Sequence, residues 1–224
     1  MVDIQKYLEE RFGGIKEMNE RDINMLLSAA HIETYKKNSI AWRHKSTKQT
    51  GVLIILRGIL KARYYTETSS VFLYYLKSGD VSMLASPSLI GNINTHIELI
   101  AKEDVNVIRI EEDVYSNLET KYPNLLLSTD YYLAKALEKL TLMIRGRLHA
   151  TVEKNVARYL LDHKEAYDST TIHISHQELA EDIGTKREVV SRTLYKLCTR
   201  NILSLSRNQI EILNLEKLKE CSQK

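Results

Sequence analysis

The chain has 224 residues and a mass of 25.9 kDa, enough for one or two domains. Hydrophobic residues make up 43% and charged residues 27%, an ordinary globular composition that excludes wholesale disorder. No apolar run approaches the roughly 18 residues of a membrane-spanning helix, and no apolar stretch follows a basic start as in a signal peptide. Two cysteines, Cys198 and Cys221, cannot form a disulfide framework. We therefore expect a cytoplasmic protein.

The net charge of the chain is +3, and its positive charge is concentrated in one short segment. Residues 151–224 carry 12 Lys and Arg residues against 11 Asp and Glu residues. Within them, residues 186–200 carry five basic residues against one acidic residue. A cluster of this kind is typical of a nucleic-acid contact or of a solvated helix face, and charge alone leaves both interpretations open.

The first half of the chain reads as one short helix followed by many short strands. Asn19 can cap a helix over residues 19–30, in which apolar side chains recur at helical spacing. The predicted strands are residues 52–56, 59–65, 71–76, 93–101 and 105–110. Short strands separated by regular turns predict an antiparallel sandwich or small barrel. We predict an α+β protein whose residues 1–122 form an antiparallel β-roll of the jelly-roll or cupin-like type.

A long helix is predicted from Pro123 to residue 150. Leu133, Leu137, Leu140 and Ile144 are spaced four, three and four residues apart. This narrow apolar seam is typical of a coiled coil and predicts a dimer interface. The alternative is a helix that packs on its own β-roll. A further helix is predicted over residues 152–163.

The last sixty residues carry the most specific pattern. Ser175 and Glu178 have the spacing of a capping box, in which each side chain bonds the other residue's amide. Gly184 ends this short helix, and Thr185 with Glu188 predicts a second capping box at the start of the next one. Two capped helices joined by a tight turn predict a helix-turn-helix motif.

A β-hairpin is predicted from residues 202–206 and 209–213, around Arg207 and Asn208. A hairpin that follows a helix-turn-helix is the wing of a winged helix. We therefore predict a DNA-binding domain over residues 151–224.

The order of these parts resembles the Crp/Fnr family of bacterial transcription regulators. The resemblance is strongest in Gln177-Glu178-Leu179-Ala180-Glu181-Asp182-Ile183-Gly184 and in Arg187-Glu188-Val189-Val190-Ser191-Arg192. In the first half it is carried by Leu56-Arg57-Gly58-Ile59-Leu60-Lys61 and by Gly79-Asp80. The resemblance implies a homodimer that binds an inverted repeat in double-stranded DNA, with RNA polymerase as a further partner. It also implies that a signal received by the β-roll reorients the DNA-binding domains through a hinge near residues 150–153.

Four residues are the candidate base readers: Arg187, Glu188, Ser191 and Arg192. They lie in the N-terminal half of the second helix, the end that enters the major groove. Residues 187 and 191, and residues 188 and 192, are four apart and form adjacent stripes on one face. The resemblance implies that Arg192 reads guanine, that Glu188 accepts from cytosine N4, and that the half-site has a TGA core.

Two alternatives stay open for these side chains. Glu188 completes a capping box with Thr185, or Arg192 forms a surface ion pair with Glu188. Other polar residues of the domain are predicted to contact phosphates rather than bases: Ser175, Lys186, Lys196, Arg200 and Arg207.

The effector of the β-roll is not defined by the sequence. In the family that the chain resembles, the cyclic-nucleotide site carries a Gly-Glu pair and an arginine that neutralises the phosphate, and residues 81–96 contain neither. Since a buried phosphate without a cation is costly, we expect an effector other than cyclic AMP. The cysteine cluster of the oxygen-sensing branch is also missing. We predict that an effector pocket is lined by Met83, Ser86, Asn92, Asn94, Tyr131 and Tyr132.

Haem is the cofactor alternative, with His96 or His44 as the candidate ligand and His31 as the third histidine of this half. The corresponding alternative function is a haem- or small-molecule-binding sensor whose winged helix contacts proteins. The chain has no paired-histidine metal motif, phosphate loop or nucleophile motif, so we expect neither a metal site nor an enzyme.

Overall fold

The computed structural model describes residues 3–43, 50–67, 70–86, 96–147 and 151–223, with the backbone alone at 145–147. It divides into two compact units. The first contains Met1–Ala62 and Leu76–Lys139, and the second contains Arg63–Tyr75 and Leu140–Lys224. A short segment of the strand-rich half therefore belongs to the same unit as the predicted DNA-binding domain.

Two four-stranded sheets form the strand-rich half. Their strands are β1 (Ala30–Tyr35), β2 (Ile40–Arg43), β3 (Gly51–Arg57), β4 (Leu60–Tyr65), β5 (Ser70–Leu76), β6 (Val81–Ser82), β7 (Ile97–Ala101) and β8 (Val105–Glu111). The spatial orders are β1-β8-β3-β6 and β2-β7-β4-β5. The registers of β3 and β1 on β8 are antiparallel, as are those of β7 on β2 and β6 on β3.

Helices cover one face of the first sheet. They are α1 (Ile4–Glu9), α2 (Glu20–Ser28), α3 (Glu112–Lys121) and the long α4 (Pro123–Arg147), with a short 3-10 turn at Ile15–Glu17. The core beneath them joins side chains from Leu8, Leu26 and Tyr115 to Val52 and Ile54 of β3. Because successive strand residues point to opposite faces, the equally buried Leu53 and Ile55 face the other side. This double burial explains why β3 is an uninterrupted apolar run.

The second unit contains the C-terminal elements. Its helices are α5 (Val152–Tyr167), α6 (His176–Ile183), α7 (Arg187–Thr199) and α8 (Leu215–Gln223). Its strands are β9 (Thr171–His173), β10 (Leu203–Ser206) and β11 (Gln209–Ile212), in the order β10-β11-β9. Within the described part of the chain, no helix is both long and apolar enough to cross a membrane.

A buried aromatic cluster holds α5 and α6 together in this unit. The Tyr159 hydroxyl of α5 donates to Asp182 Oδ2 of α6 at 2.7 Å, and the Tyr75 hydroxyl of β5 lies 3.5 Å from that of Tyr159. Phe72 packs edge-on to the Tyr159 ring at 5.3 Å. Burial raises the pKa values of Tyr75 and Tyr159 well above the ordinary tyrosine range. Both phenols therefore stay protonated and can donate.

The predicted fold class is confirmed: helices and antiparallel strands form a sheet core followed by a winged helix-turn-helix. The predicted helix at 19–30 is α2, and the Asn19 side chain accepts from the Asp22 amide at 2.9 Å. Residues 93–95 of the predicted strand at 93–101 lie outside the described residues, and β7 accounts for the rest. The predicted elements did not include the strands β1, β2, β6 and β9 or the helices α1, α3 and α8.

Tyr159→Phe tests the buried hydroxyl chain. The variant leaves the Asp182 carboxylate without one donor, so we expect the free energy of unfolding to fall by about 1–3 kcal/mol. Tyr195→Phe is the matched control, because the Tyr195 side chain is 63% exposed, and it should change stability by less than about 0.5 kcal/mol. Denaturant unfolding measures both. Equal effects of the two changes would contradict a stabilising Tyr159–Asp182 bond.

Candidate nucleic-acid interface

Helix α6 begins with the capping box that the sequence predicts. The Glu178 amide donates to Ser175 Oγ at 3.2 Å, and the Ser175 amide donates to Glu178 Oε2 at 2.9 Å. The Ser175 hydroxyl also donates to the Glu178 carboxylate at 2.9 Å. A phosphate contact by Ser175, which stays a prediction, would require this hydroxyl to leave Glu178.

The second predicted capping box is wrong. Gly184 ends α6 with φ of 73°, and the amide of Thr185 donates to the Ala180 carbonyl at 2.9 Å. This bond keeps Thr185 inside the turn, so the N-cap of α7 is Lys186, whose side chain caps nothing. The turn is therefore fixed by backbone bonds to α6, and Glu188 is left without a capping partner.

One face of α7 is buried and the opposite face is open. Val190, Leu194 and Leu197 are fully buried. Arg187, Glu188 and Arg192 are all exposed, as the amphipathic pattern predicts. The structure thus presents three of the four predicted base readers on the accessible side of one helix.

These three charged side chains make no hydrogen bond or ion pair with any described residue, although Glu188 and Arg192 are four apart. Capping by Thr185 and pairing of Glu188 with Arg192, the two alternative roles for these residues, are both absent from the described structure. Charged side chains on a helix surface that have no partner among the described residues are available to bind another molecule.

The fourth predicted reader, Ser191, is half-buried and already has a partner. Its Oγ lies 2.9 Å from Nδ1 of His176, the first residue of α6. Burial, with a smaller contribution from the Arg187 charge, lowers the pKa of His176. No spacing rule links the start of one helix to the middle of the next, so the sequence does not predict His176 as the partner of Ser191.

Besides Ser175, two more of the five predicted phosphate contacts are engaged within the protein. Lys196 Nζ lies 2.6 Å from Glu153 Oε2 in the first turn of α5, and Arg200 also pairs with Glu153. Arg200 further donates to Cys221 Sγ at 3.2 Å. The hydrogen bond from Lys196 is the largest cause of a lowered pKa at Glu153. The sequence did not predict this triad of Glu153, Lys196 and Arg200. Through its contacts with Glu153 and Cys221, Arg200 joins α5, α7 and α8.

The other two predicted phosphate contacts are open. Lys186 is exposed at the N-terminus of α7, and Arg207 is exposed at the tip of the hairpin between β10 and β11. That hairpin has the predicted turn: Ser206 pairs with Gln209, and Asn208 has φ of 54°. The predicted wing is therefore present.

The predicted dimer residues lie on α4 in two different environments. Leu137 and Ile144 are 65% and 52% exposed. Leu140 is half-buried, and Leu133 is half-buried against the core of the first unit. The outer side of the predicted seam is therefore an open apolar surface, whereas Leu133 contributes to the β-roll.

The predicted effector residues do not meet in one described cavity. Met83 belongs to the core beneath the helices, Ser86 is buried, and the Tyr132 hydroxyl donates to the Arg11 carbonyl at 2.9 Å. Tyr131 borders a shallow surface pocket that contains none of the other predicted residues; it is lined by Gly13, Gly14, Glu17, Asn124, Leu127, Ser128 and Tyr131. Asn92 and Asn94 lie outside the described residues.

The histidines considered for haem are similarly scattered. His31 Nε2 lies 3.0 Å from Glu111 Oε1 at an exposed position, and His96 is half-buried before β7. His44 lies outside the described residues. Within the described ranges, no group of three or more His, Cys, Asp or Glu side chains is placed to hold a metal ion.

Comparison with known proteins agrees with this geometry. Residues 155–221 match the family model of the Crp-like helix-turn-helix domain. A relative from Lacticaseibacillus casei, named "Probable transcriptional regulator flp", is 28% identical over 176 residues, which cover 75% of this chain and 78% of the relative.

Solved structures share the fold at lower identity. A Crp/Fnr-family protein from Eubacterium rectale has a TM-score of 0.88 at 20% identity, covering 96% of this chain and all of that one. The Crp/Fnr-family transcriptional regulator TTHA1359 from Thermus thermophilus has a TM-score of 0.73 at 17% identity, covering 87% of this chain and 99% of that one.

Residues 155–221 are therefore a helix-turn-helix domain of the Crp type. The chain as a whole has the fold of Crp/Fnr regulators, so the resemblance that its sequence motifs predict is confirmed. The relative from Lacticaseibacillus casei and these two solved proteins are named as transcriptional regulators, in line with the expectation that this chain is not an enzyme.

Glu153→Gln tests the triad through its pH dependence. Because the folded-state pKa of Glu153 is lowered, the stability it contributes is present above its unfolded pKa and is lost as the pH falls through the folded value. We expect the variant to lose up to about 1 kcal/mol at pH 7. This difference from the unmodified chain should close below about pH 4, where the carboxylate becomes protonated. Denaturant unfolding over this pH range measures it.

Glu188→Gln is the control for this experiment, since Glu188 has no ion-pair partner among the described residues. It should show a small difference without the same pH dependence. An effect of Glu153→Gln that is constant from pH 7 to pH 3 would contradict a charged triad.

Proposed function

We propose that this protein is a sequence-specific DNA-binding transcription regulator of the Crp/Fnr type, acting in the cytoplasm as a homodimer on an inverted repeat. The observation that carries the proposal is the open face of α7. It holds Arg187, Glu188 and Arg192, which form no ion pair with any described residue, in a domain that matches the Crp-like helix-turn-helix model. RNA polymerase is the further partner that this class of regulator implies.

The chemistry of these side chains suits the major groove. An arginine can donate two hydrogen bonds to guanine O6 and N7, and a glutamate can accept from cytosine N4. In this proposal Arg192 reads guanine and Glu188 reads cytosine, within a half-site that has a TGA core. Lys186 and Arg207, at the start of α7 and at the wing tip, contact phosphates and set the register.

The homodimer is proposed to form along α4. Leu137 and Ile144 leave an apolar stripe open on this 25-residue helix, and an apolar stripe of this kind is stabilised by a partner helix. Two α7 helices related by a two-fold axis would enter successive major grooves about 34 Å apart. The two half-sites would then lie on one face of the DNA.

The signal is proposed to enter through the β-roll and to be something other than cyclic AMP. The sequence of residues 81–96 offers no arginine to neutralise a cyclic phosphate. A change in the β-roll would reach α7 through the hinge near residues 150–153. Of these residues, Glu153 is joined to Lys196 and Arg200, which gives the hinge a direct connection to α7.

Arg192→Ala tests base reading. We expect loss of about 1–3 kcal/mol of discrimination at the guanine of the half-site, because the two donated hydrogen bonds disappear. Binding-site selection with the purified full chain, followed by titration of single-base variants, measures this preference.

Lys186→Ala is the matched control. It removes one phosphate contact and should weaken binding to all sequences about equally, lowering the salt dependence of the binding constant by about one ion. An unchanged base preference in Arg192→Ala would show that Arg192 does not read the base. Equal binding of palindromic and scrambled duplexes by the unmodified chain would overturn the proposed function itself.

Leu137→Asp tests the dimer. A carboxylate at this exposed apolar position should prevent the pairing of α4 helices, so sedimentation should show a monomer. Leu142→Asp is the control: Leu142 is 59% exposed on the same helix but lies about 140° around its axis from Leu137. A dimer that survives Leu137→Asp but not Leu142→Asp would place the interface on the other face.

A further inference from the structure

The contact between His176 and Ser191 joins the first residue of α6 to the middle of the exposed stripe of α7. His176 Nδ1 and Ser191 Oγ are 2.9 Å apart, and both side chains are half-buried. Ser191 lies one turn after Arg187 and directly before Arg192. A change in the Ser191 hydroxyl therefore acts within the surface that the proposed function assigns to base reading.

A serine hydroxyl has one proton and two lone pairs, and it rotates to suit its partners. If Nδ1 accepts the Ser191 proton, only the oxygen lone pairs remain, and these can accept from an amino group of adenine or cytosine. If Nδ1 carries a proton and donates it, the Ser191 proton is free to be donated to guanine or thymine. The partner of Ser191 thus decides which base edges its hydroxyl can bond.

We infer that His176 is a positioning residue for base recognition, which fixes the orientation and hydrogen-bonding character of the Ser191 hydroxyl that α7 presents to DNA. This inference rests on the proposed function, since it assumes that α7 reads bases. It adds a residue from outside α7 to the recognition surface. The lowered pKa of His176 is consistent with a neutral imidazole, which can either donate or accept at Nδ1.

The test measures the base preference of His176→Ala, Ser191→Ala and the double variant by site selection. The duplexes carry a randomised half-site that is repeated in inverted orientation. We expect Ser191→Ala to reduce the preference at one base position by about 3- to 10-fold, the worth of one hydrogen bond. His176→Ala should reduce the preference at the same position. The double variant should add little to either single change, because both remove the same oriented hydroxyl.

His176→Asn is the rescue variant. The amide atoms of asparagine are as many bonds from Cβ as Nδ1 is in histidine, so asparagine can renew the bond to Ser191, whereas alanine cannot. We expect His176→Asn to retain the base preference. His176→Gln carries its amide one bond further out, at the distance of Nε2, and should not retain it.

A merely structural role or a phosphate contact gives different results. Loss of affinity on every sequence, scrambled duplexes included, with the base preference kept would overturn the inference, as would full additivity in the double variant. Thermal unfolding of each variant checks that α6 remains folded. If His176→Ala destabilises the domain, its base preference should be compared with that of Ser191→Ala at a temperature at which both variants are folded.

The failure of the inference and the failure of the proposed function are distinguishable. If the unmodified chain does not discriminate between palindromic and scrambled DNA, the proposed function fails. If it discriminates but His176→Ala leaves the preference unchanged, only this inference fails. The imidazole ¹⁵N chemical shifts of His176, measured in the full chain without DNA, should change in Ser191→Ala. Unchanged shifts would show that the two side chains are not bonded in solution, which also overturns the inference.

Discussion

The carbonyl oxygen of Ala180 closes the turn on which the recognition surface depends. It accepts from the amides of Gly184 and Thr185, so α6 ends and the chain reverses within three residues. Gly184 adopts a left-handed conformation that other residues rarely do. Because these are backbone bonds inside a short turn, they leave α7 little freedom to change its angle to α6.

The same turn decides which side chains of α7 are available to DNA. With Thr185 held in the turn, α7 begins at Arg187 and packs against α5 and α6, with Val190 and Leu194 buried. Arg187 and Arg192 are then left on the outside. The buried bond from Tyr159 to Asp182 fixes α6 from the other side, so the position of α7 is set by α5 as well as by the turn. A change in α5 therefore acts on the recognition helix through packed, buried contacts.

Acidic and histidine side chains refine this surface. Glu153 pairs with both Lys196 and Arg200, so its single negative charge offsets one of the positive charges that the sequence places on residues 186–200. Within residues 186–207, the charges that have no ion pair with a described residue lie near the N-terminal half of α7 and at the wing, where a groove and its flanking phosphates would lie. His176 then orders one hydroxyl within this half. The surface available to DNA therefore has less positive charge than the composition of residues 186–200 indicates, and its charged side chains are more narrowly placed.

Much of this protein could be predicted from local sequence. The cap at Ser175, the break at Gly184, the turn at Arg207 and the cap at Asn19 depend on residues within four positions of one another, and local hydrogen bonds determine them. The uninterrupted apolar run of β3 similarly indicates that this strand is buried on both faces.

Other features were decided only by the tertiary structure. Lys196 and Glu153 pair although they are 43 positions apart in the chain. β9 has three residues, and it forms a strand because its backbone pairs with β11. The start of α7 at Arg187 rather than after Thr185 depends on which carbonyl the Thr185 amide reaches. Sequence patterns describe what a segment can do with its neighbours in the chain. The partner of a charged or polar side chain depends on which distant segment packing brings within about 3 Å of it.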